Sequence, residues 1–216
     1  MRFDIDVQRG TTPPARRGRR LAWQAAALGL LVAGPALGDE LDKARTIAAT
    51  LCVACHGADG NSVAPTFPKL AGNNPDYLAR QLGEFIAGRR KSEIMVPIVT
   101  TLDPDDFKAL GEYFGTQKPS PGVAGDAKAA ARGKKLYADG DEDRALPACS
   151  GCHKDDASGN KRFPRLAGQH RDYLVAEMNN FKTGVRNTKG GGVMREVAKR
   201  MTDDEIAVVA EYLAGL

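Results

Sequence analysis

The second half of the chain repeats the first, and this repeat is the feature that most limits the folds available to it. The segment Phe67–Gly72, which reads Phe-Pro-Lys-Leu-Ala-Gly, returns 96 residues later as Phe-Pro-Arg-Leu-Ala-Gly at Phe163–Gly168. The tripeptide Asp-Tyr-Leu that begins at Asp76 returns at the same spacing. A shared period of this length predicts two copies of one domain.

The composition between the copies predicts where the domains meet. Residues 119–125, which read Pro-Ser-Pro-Gly-Val-Ala-Gly, have the composition of a linker. We therefore expect a first domain over residues 39–118 and a second over residues 126–216.

Capping signals place helices in both copies. Asn74 followed by Pro75 is typical of a helix start. Asp103–Pro104 predicts the start of the last helix of the first copy, and the capping-box pattern Thr202-x-x-Glu205 predicts that of the second. No stretch shows sustained strand alternation, so the predicted fold is all-α. Further helices are expected over residues 41–51, 127–137 and 171–183.

The first 38 residues have the pattern of a secretory signal. Four arginines between positions 16 and 20 precede an apolar run, Leu21–Ala36, and small residues lead into Asp39. This pattern predicts export, with cleavage near Gly38. A retained membrane anchor is the alternative, although the run is shorter than the ~20 residues that span a bilayer.

The net charge of +4 belongs to this leader. Residues 1–38 hold six of the 31 Lys and Arg and two of the 27 Asp and Glu, which leaves 25 of each. Since the rest of the chain is near neutral and has no basic patch, we expect no nucleic-acid partner.

All four cysteines lie in two Cys-x-x-Cys-His motifs, Cys52–His56 and Cys149–His153. This spacing is typical of covalent haem attachment, in which two thiols add to the porphyrin vinyl groups and the histidine reaches the iron. A four-thiolate zinc site is the alternative, but it does not explain the histidine that follows each second cysteine. Haem attachment would also occupy every thiol that export exposes to oxidation. Two covalently bound haem c groups are therefore predicted.

Methionine is the leading candidate for the second axial ligand, because two of the three histidines already belong to the motifs. Met95 and Met194 each lie eight residues before the predicted cap of a final helix. Met201 is the main rival to Met194, but it aligns with Leu102 and is expected in the core. Met178 is likewise expected to pack in the core.

Two further features near these candidates have simpler interpretations. His170, the remaining histidine, aligns with Asn74 at a helix start, where a surface or capping role is expected. Gly190–Gly192 lacks the lysine-serine signature of a phosphate site. We expect it to form a flexible approach to Met194.

The twin haem motifs, the repeated Phe-Pro segment and the placement of Met95 and Met194 resemble the dihaem cytochrome c4 family over residues 39–216. So does the Pro147–Ala148 approach to the second motif. The resemblance implies two tandem class I cytochrome c domains related by a pseudo-twofold axis. The segment Arg89–Met95 is shorter than is common in that family. The implied thioether attachments are Cys52, Cys55, Cys149 and Cys152, and the implied axial pairs are His56/Met95 and His153/Met194.

The resemblance also implies a periplasmic electron carrier with redox protein partners, a respiratory donor complex and a terminal oxidase, and often loose membrane association. If protein atoms fill both axial positions, substrate has no open iron site, and we expect no enzyme activity. One alternative is the dihaem subunit of a larger oxidoreductase, such as a flavocytochrome that oxidises sulfide. Another is a catalytic dihaem enzyme, such as a thiosulfate dehydrogenase or peroxidase. That enzyme would need an unusual axial position, for which no spare cysteine remains.

Overall fold

The structure is a computed structural model that describes residues 37–216. The predicted signal at residues 1–38 lies outside the described residues, apart from Leu37 and Gly38, which begin the first helix. Residues 37–216 form helices joined by loops, with two isolated β-bridges and no strand. The all-α prediction is confirmed. None of the helices in this range has the length and apolar composition needed to cross a membrane.

The helices of the first half largely follow their predicted caps. Asn74 Oδ1 accepts a hydrogen bond from the Tyr77 N–H at 3.1 Å, as expected of an N-cap. The last helix begins at Asp106, two residues later than a cap at Asp103 predicts, because Asp103 Oδ1 accepts from the Asp105 N–H and holds these residues in a turn. The elements are α1 (Leu37–Ile47), a π-helical turn (Ala48–Cys52), α2 (Val53–His56), α3 (Pro75–Ile86), α4 (Met95–Val99) and α5 (Asp106–Gly115).

The second half adds two segments that the sequence did not predict as helical. Met194 lies on a helix rather than in a flexible loop, and Gly190–Gly191 belongs to a 3₁₀ turn that leads into it. The capping box of Thr202 and Glu205 is confirmed. The elements are α6 (Ala127–Asp139), α7 (Ser150–His153), α8 (Arg171–Lys182), the 3₁₀ turn (Lys189–Gly191), α9 (Gly192–Arg200) and α10 (Asp203–Ala214).

In each half the first helix packs against the last, α1 on α5 and α6 on α10. At the second crossing a Cβ atom on Gly133 would collide with the Val208 carbonyl oxygen, so glycine allows the close approach. The main apolar cluster of the second half contains eleven buried residues, including Tyr137 and Ile206. The main cluster of the first half contains five, including Phe114. The first half therefore has the weaker apolar core of its own.

The two halves dock through reciprocal contacts made by equivalent residues. Asn73 Oδ1 accepts from the Arg165 N–H at 3.1 Å. Gln169, 96 residues after Asn73, accepts from the Lys69 N–H at 2.9 Å and donates to the Lys69 carbonyl oxygen at 2.9 Å. Contacts that are exchanged in this way are what a twofold relation produces. The predicted pseudo-twofold arrangement is confirmed.

Candidate haem sites

Both haem motifs are helical turns that end in a buried histidine. In the second motif the backbone N–H groups of Cys152 and His153 donate to the Cys149 carbonyl oxygen at 3.2 and 2.9 Å. Residues three apart on a helix share one face, so this turn places both sulfurs of the motif on the same side. The first motif spans the end of the π-helical turn and α2 in the same way. All four cysteines are free.

The ring of His56 is fixed by two residues of the repeated Phe-Pro segment. His56 is 6 % exposed, and its Nδ1 atom donates to the Pro68 carbonyl oxygen at 2.8 Å. The Phe67 ring lies edge-on with a centroid distance of 6.4 Å. Because a carbonyl oxygen only accepts hydrogen bonds, the proton lies on Nδ1 and Nε2 keeps its lone pair. A metal-ligating imidazole is held in this way.

His153 has the same geometry, and its surroundings test whether the second motif suits a haem group. It is 5 % exposed, its Nδ1 atom lies 3.1 Å from the Pro164 carbonyl oxygen, and its ring centroid lies 5.7 Å from that of Phe163. Its Nε2 atom is buried and has no hydrogen-bond partner within residues 37–216. An orphaned buried nitrogen costs about 1–3 kcal/mol. Coordination to haem iron would satisfy this nitrogen, so the residues of the second motif fit a haem group.

Burial sets the charge state of the candidate ligands. It lowers the pKa of His56 and of His153, and at His56 the positive charge of Arg90 lowers the pKa further. Both imidazoles are therefore neutral near pH 7, which is the form that binds iron. Burial also raises the pKa of Cys52 and of Cys149 to about 11. These sulfurs are uncharged near pH 7, as thioether sulfurs are.

The zinc alternative finds no support in the structure. Within residues 37–216, no three His, Cys, Asp or Glu side chains come together in a group that could hold a metal ion. The two cysteine pairs therefore lie in separate places and do not form a four-thiolate cluster.

Met95 and Met194 occupy equivalent positions at the beginning of short helices. Met95 is the first residue of α4, and its N–H donates to Ser92 Oγ at 3.0 Å. Met194 is the third residue of α9 and packs beside the second core. Each follows an exposed apolar residue, Ile94 (52 %) or Val193 (61 %). Exposed apolar side chains next to both methionines in the sequence suit contact with an apolar group.

Met201, the rival to Met194, is 4 % exposed in the second core. Met178 packs against the same cluster. The structure therefore gives both methionines a packing role, as expected.

The expected surface or capping role of His170 is wrong. The residue lies at the N-cap of α8, but its side chain makes no capping hydrogen bond. Its Nε2 atom instead lies 2.9 Å from Ser62 Oγ and 3.0 Å from the Ser62 carbonyl oxygen, across the interface between the halves. The reason is that the opposite half brings Ser62 within reach, which a single domain considered alone does not show.

Sequence reasoning also missed the residues that orient the histidines. The Phe-Pro pairs were noted as part of the repeat, but their contacts with the haem-motif histidines were not foreseen. The signal was present, because the segment begins at a similar distance after each motif, 11 residues after His56 and 10 after His153.

Comparison with known proteins agrees with this geometry. The Cytochrome c family model matches residues 41–118 and 130–216. The chain is 40 % identical over 187 residues to the cytochrome c4 of Thiocapsa roseopersicina, a match that covers 85 % of this chain and 96 % of the relative.

The chain belongs to the cytochrome c4 family. Since each of its two halves matches a cytochrome c domain and carries one attachment motif, this cytochrome c4 has two haem c groups as cofactors.

Two further matches refine the comparison. The crystal structure of reduced cytochrome c4 from Pseudomonas stutzeri superimposes with a TM-score of 0.75 at 36 % identity, and the match covers 85 % of this chain and all of that one. A thiosulfate dehydrogenase electron acceptor from Thiomonas intermedia is 39 % identical, with 77 % of this chain and 79 % of the relative covered.

Proposed function

We propose that this cytochrome c4 is a periplasmic electron carrier that takes up and releases electrons one at a time. The observation that carries the proposal is the matched pair of buried histidines, each held through Nδ1 by a proline carbonyl oxygen. An electron carrier needs rigid centres at which protein atoms fill the ligand positions of the iron. A catalytic dihaem enzyme would need one iron site that differs from the other and has room for substrate.

Each half supplies a complete set of protein ligands in this proposal. Haem iron would supply a one-electron couple, and binding by a methionine together with a histidine would keep its potential high. The rings of the two histidines are held by their hydrogen bonds, and the methionines lie on helices rather than in flexible loops. Little movement is then needed when the charge of the centre changes, as suits electron transfer. The attachment residues are Cys52, Cys55, Cys149 and Cys152, and the axial pairs are His56/Met95 and His153/Met194.

The proposed partners are redox proteins, a respiratory donor complex and a terminal oxidase or other acceptor. Export by the leader places the carrier in the periplasm, and loose association with the membrane would keep it near such partners. The near-neutral charge of residues 39–216 supports protein partners rather than nucleic acid.

A second candidate function is to accept electrons from one particular oxidoreductase. The similarity to a thiosulfate dehydrogenase electron acceptor favours it over a general respiratory role. Reduction of the purified protein by a thiosulfate dehydrogenase, at a rate comparable with that of a respiratory donor, would support this candidate.

The decisive experiment counts the centres and identifies their ligands. The holo protein should carry two haems, both low-spin, with a methionine-to-ferric charge-transfer band. Met194→Ala should remove half of that band. Met201→Ala is the matched control: it should keep the band while lowering the free energy of unfolding by about 2–5 kcal/mol, because it empties a core position.

The opposite result for the two methionines would reverse the ligand assignment. A single haem per chain would exclude the carrier with two centres.

A further inference from the structure

The first half carries a groove, here called the first groove, between α1, the beginning of α3 and the end of α5. Its volume is about 490 Å³. None of its lining residues belongs to a haem motif. Four of these residues determine what the groove can bind, and they are Pro75, Glu112, Thr116 and Gln117.

The repeat identifies the counterpart of this groove in the second half. The sequence Gly-Glu-Tyr-Phe in α5 returns as Ala-Glu-Tyr-Leu in α10, and the starts of α3 and α8 are also aligned. The aligned pairs are Pro75 and Arg171, Glu112 and Glu211, Thr116 and Gly215, and Gln117 and Leu216.

The linker between the halves occupies the groove of the second half. Glu211 Oε1 accepts from the N–H groups of Gly125 and Asp126, the latter at 2.8 Å. The N–H of Gly122 donates to the Leu216 carbonyl oxygen at 3.1 Å. A Cβ atom on Gly122 would collide with a backbone carbonyl oxygen of α10, so the linker lies directly against the helix end.

These contacts and one cation satisfy the carboxylate of Glu211. Arg171 Nε lies 3.1 Å from Glu211 Oε2, and the glutamate side chain is 8 % exposed. Buried carboxylates need partners of this kind. The second half therefore shows what binds in this type of groove: a segment of small residues that presents backbone N–H groups.

The equivalent carboxylate of the first groove is bound much less completely. The Glu112 side chain is 40 % exposed, and its ion pair within residues 37–216 is a long one of 3.9 Å with the exposed Lys108. Pro75, which replaces Arg171, supplies no cation and no backbone N–H. Glu112 thus presents a negative charge where an incoming segment could supply both kinds of partner.

The sequence position of the linker indicates that this segment comes from another protein. The linker directly precedes α6, so its counterpart would be the residues that precede α1. The expected cleavage near Gly38 would remove those residues. The mature protein would then keep the first groove without a segment of its own to fill it.

One substitution within the repeat sets a steric requirement on the occupant. Thr116 stands in place of Gly215, and a Cβ atom on Gly215 would lie 2.7 Å from the Cβ atom of Ala124. The threonine side chain therefore excludes alanine at that point of the bound segment, and glycine is needed there.

We propose that the first groove is a docking site for an extended, glycine-rich and basic segment of a protein partner. Backbone N–H groups of that segment bind Glu112 as the linker binds Glu211, and its basic side chain takes the place of Arg171. Main-chain hydrogen bonds of this kind are a common basis of peptide recognition. The redox nature of the partner rests on the proposed function, whereas the fit of the segment does not.

A peptide titration of the mature holo protein tests the proposal. The probe is acetyl-Ser-Pro-Gly-Val-Gly-Gly-Arg-amide, which is the linker sequence with glycine for Ala124 and arginine for Asp126. In ¹⁵N-resolved NMR spectra the probe should shift the amide resonances of Glu112, Thr116 and Gln117. It should not shift those of Glu211 and Leu216, because the linker already occupies the second groove.

Two altered peptides test the chemistry of the segment. Aspartate in place of the final arginine should weaken binding, because it opposes the charge of Glu112. Alanine in place of the first glycine of the Gly-Gly pair should also weaken binding, and Thr116→Gly in the protein should restore it. No restoration by Thr116→Gly would contradict the steric part of the proposal.

Glu112→Gln should weaken binding of the probe about tenfold, because hydrogen bonds to a charged group are lost. The matched control is Glu142→Gln, the same change at an exposed position of the second half, and it should leave binding unchanged. No shifts in the first groove, or equal weakening by both variants, would overturn the proposal. Shifts in the first groove that depend on protein concentration without peptide would assign it to a second copy instead.

The haem content of the same sample separates this result from the proposed function. Fewer than two haems per chain would overturn the proposed carrier and leave a positive titration standing. A sample with both haems that does not bind the probe would overturn only the docking site.

Discussion

The two halves of this cytochrome c4 hold their haem-motif histidines in the same way but differ in what surrounds them. The His56 and His153 rings have equivalent hydrogen bonds and aromatic neighbours. The main apolar cluster contains eleven buried residues in the second half and five in the first. A duplicated fold has therefore kept its ligand geometry while its packing has diverged.

The same residue type also has different roles in the two last helices. Glu211 of α10 accepts from the Asp126 and Gly125 N–H groups and pairs with Arg171 at 3.1 Å. The linker thereby fills the groove beside α10. In the first half Pro75 stands in place of Arg171. The Glu112 side chain is 40 % exposed and pairs with Lys108 at 3.9 Å. It lies in a groove lined also by Leu41, Arg45, Pro75, Tyr113, Thr116 and Gln117.

The largest expected effect tests whether the halves depend equally on haem. The double change Cys52→Ser with Cys55→Ser should unfold most of the first half, because its own core is small and the porphyrin would supply much of the apolar burial. Cys149→Ser with Cys152→Ser should leave more helix in the second half. Far-ultraviolet circular dichroism, together with haem content, measures both. Equal losses of helix would contradict the difference in packing.

An intermediate effect is expected at the two glutamates. Glu211→Gln should lower the free energy of unfolding by about 1–3 kcal/mol, because it weakens buried charge-assisted hydrogen bonds to the linker. Glu112→Gln, the matched change on a partly exposed side chain, should alter it by less than about 0.5 kcal/mol. Urea denaturation of the holo protein compares them. Equal effects would mean that the linker contacts contribute nothing to stability.

The smallest effect is a pH dependence at the interface. Burial, and to a lesser extent Lys69, lowers the pKa of His170 below its usual ~6.5, although the Ser62 contact opposes the shift. The unfolded chain then binds more protons at this residue. Its contribution to stability is complete above about pH 6.5 and declines as the pH falls through that value toward the lowered pKa.

His170→Asn, which restores the residue found at Asn74, should remove this part of the dependence. Denaturation midpoints between pH 8 and 5 provide the measurement. An unchanged pH profile would show that His170 does not stabilise the interface through its neutral form.

Local sequence patterns predicted the helices with strong caps better than the others. Asn74, Thr202 and Glu205 satisfy backbone groups within their own turn, so their signals are independent of the rest of the fold. The helices α4 and α9 were missed because they are short and have no such cap. The start of α5 was misplaced because Asp103 forms a turn that resembles a cap.

By itself the sequence determined that the fold is a duplicated all-α unit with two haem motifs, because repeat spacing, caps and Cys-x-x-Cys-His are local properties of the chain. Only the tertiary structure decided how the halves meet. His170 contacts Ser62, Arg90 donates to Glu177 and Arg186 donates to Gln81, across separations of 87 to 108 residues in sequence. Packing geometry determines such partners, because the energetic cost of a buried charge depends on the groups that folding places beside it.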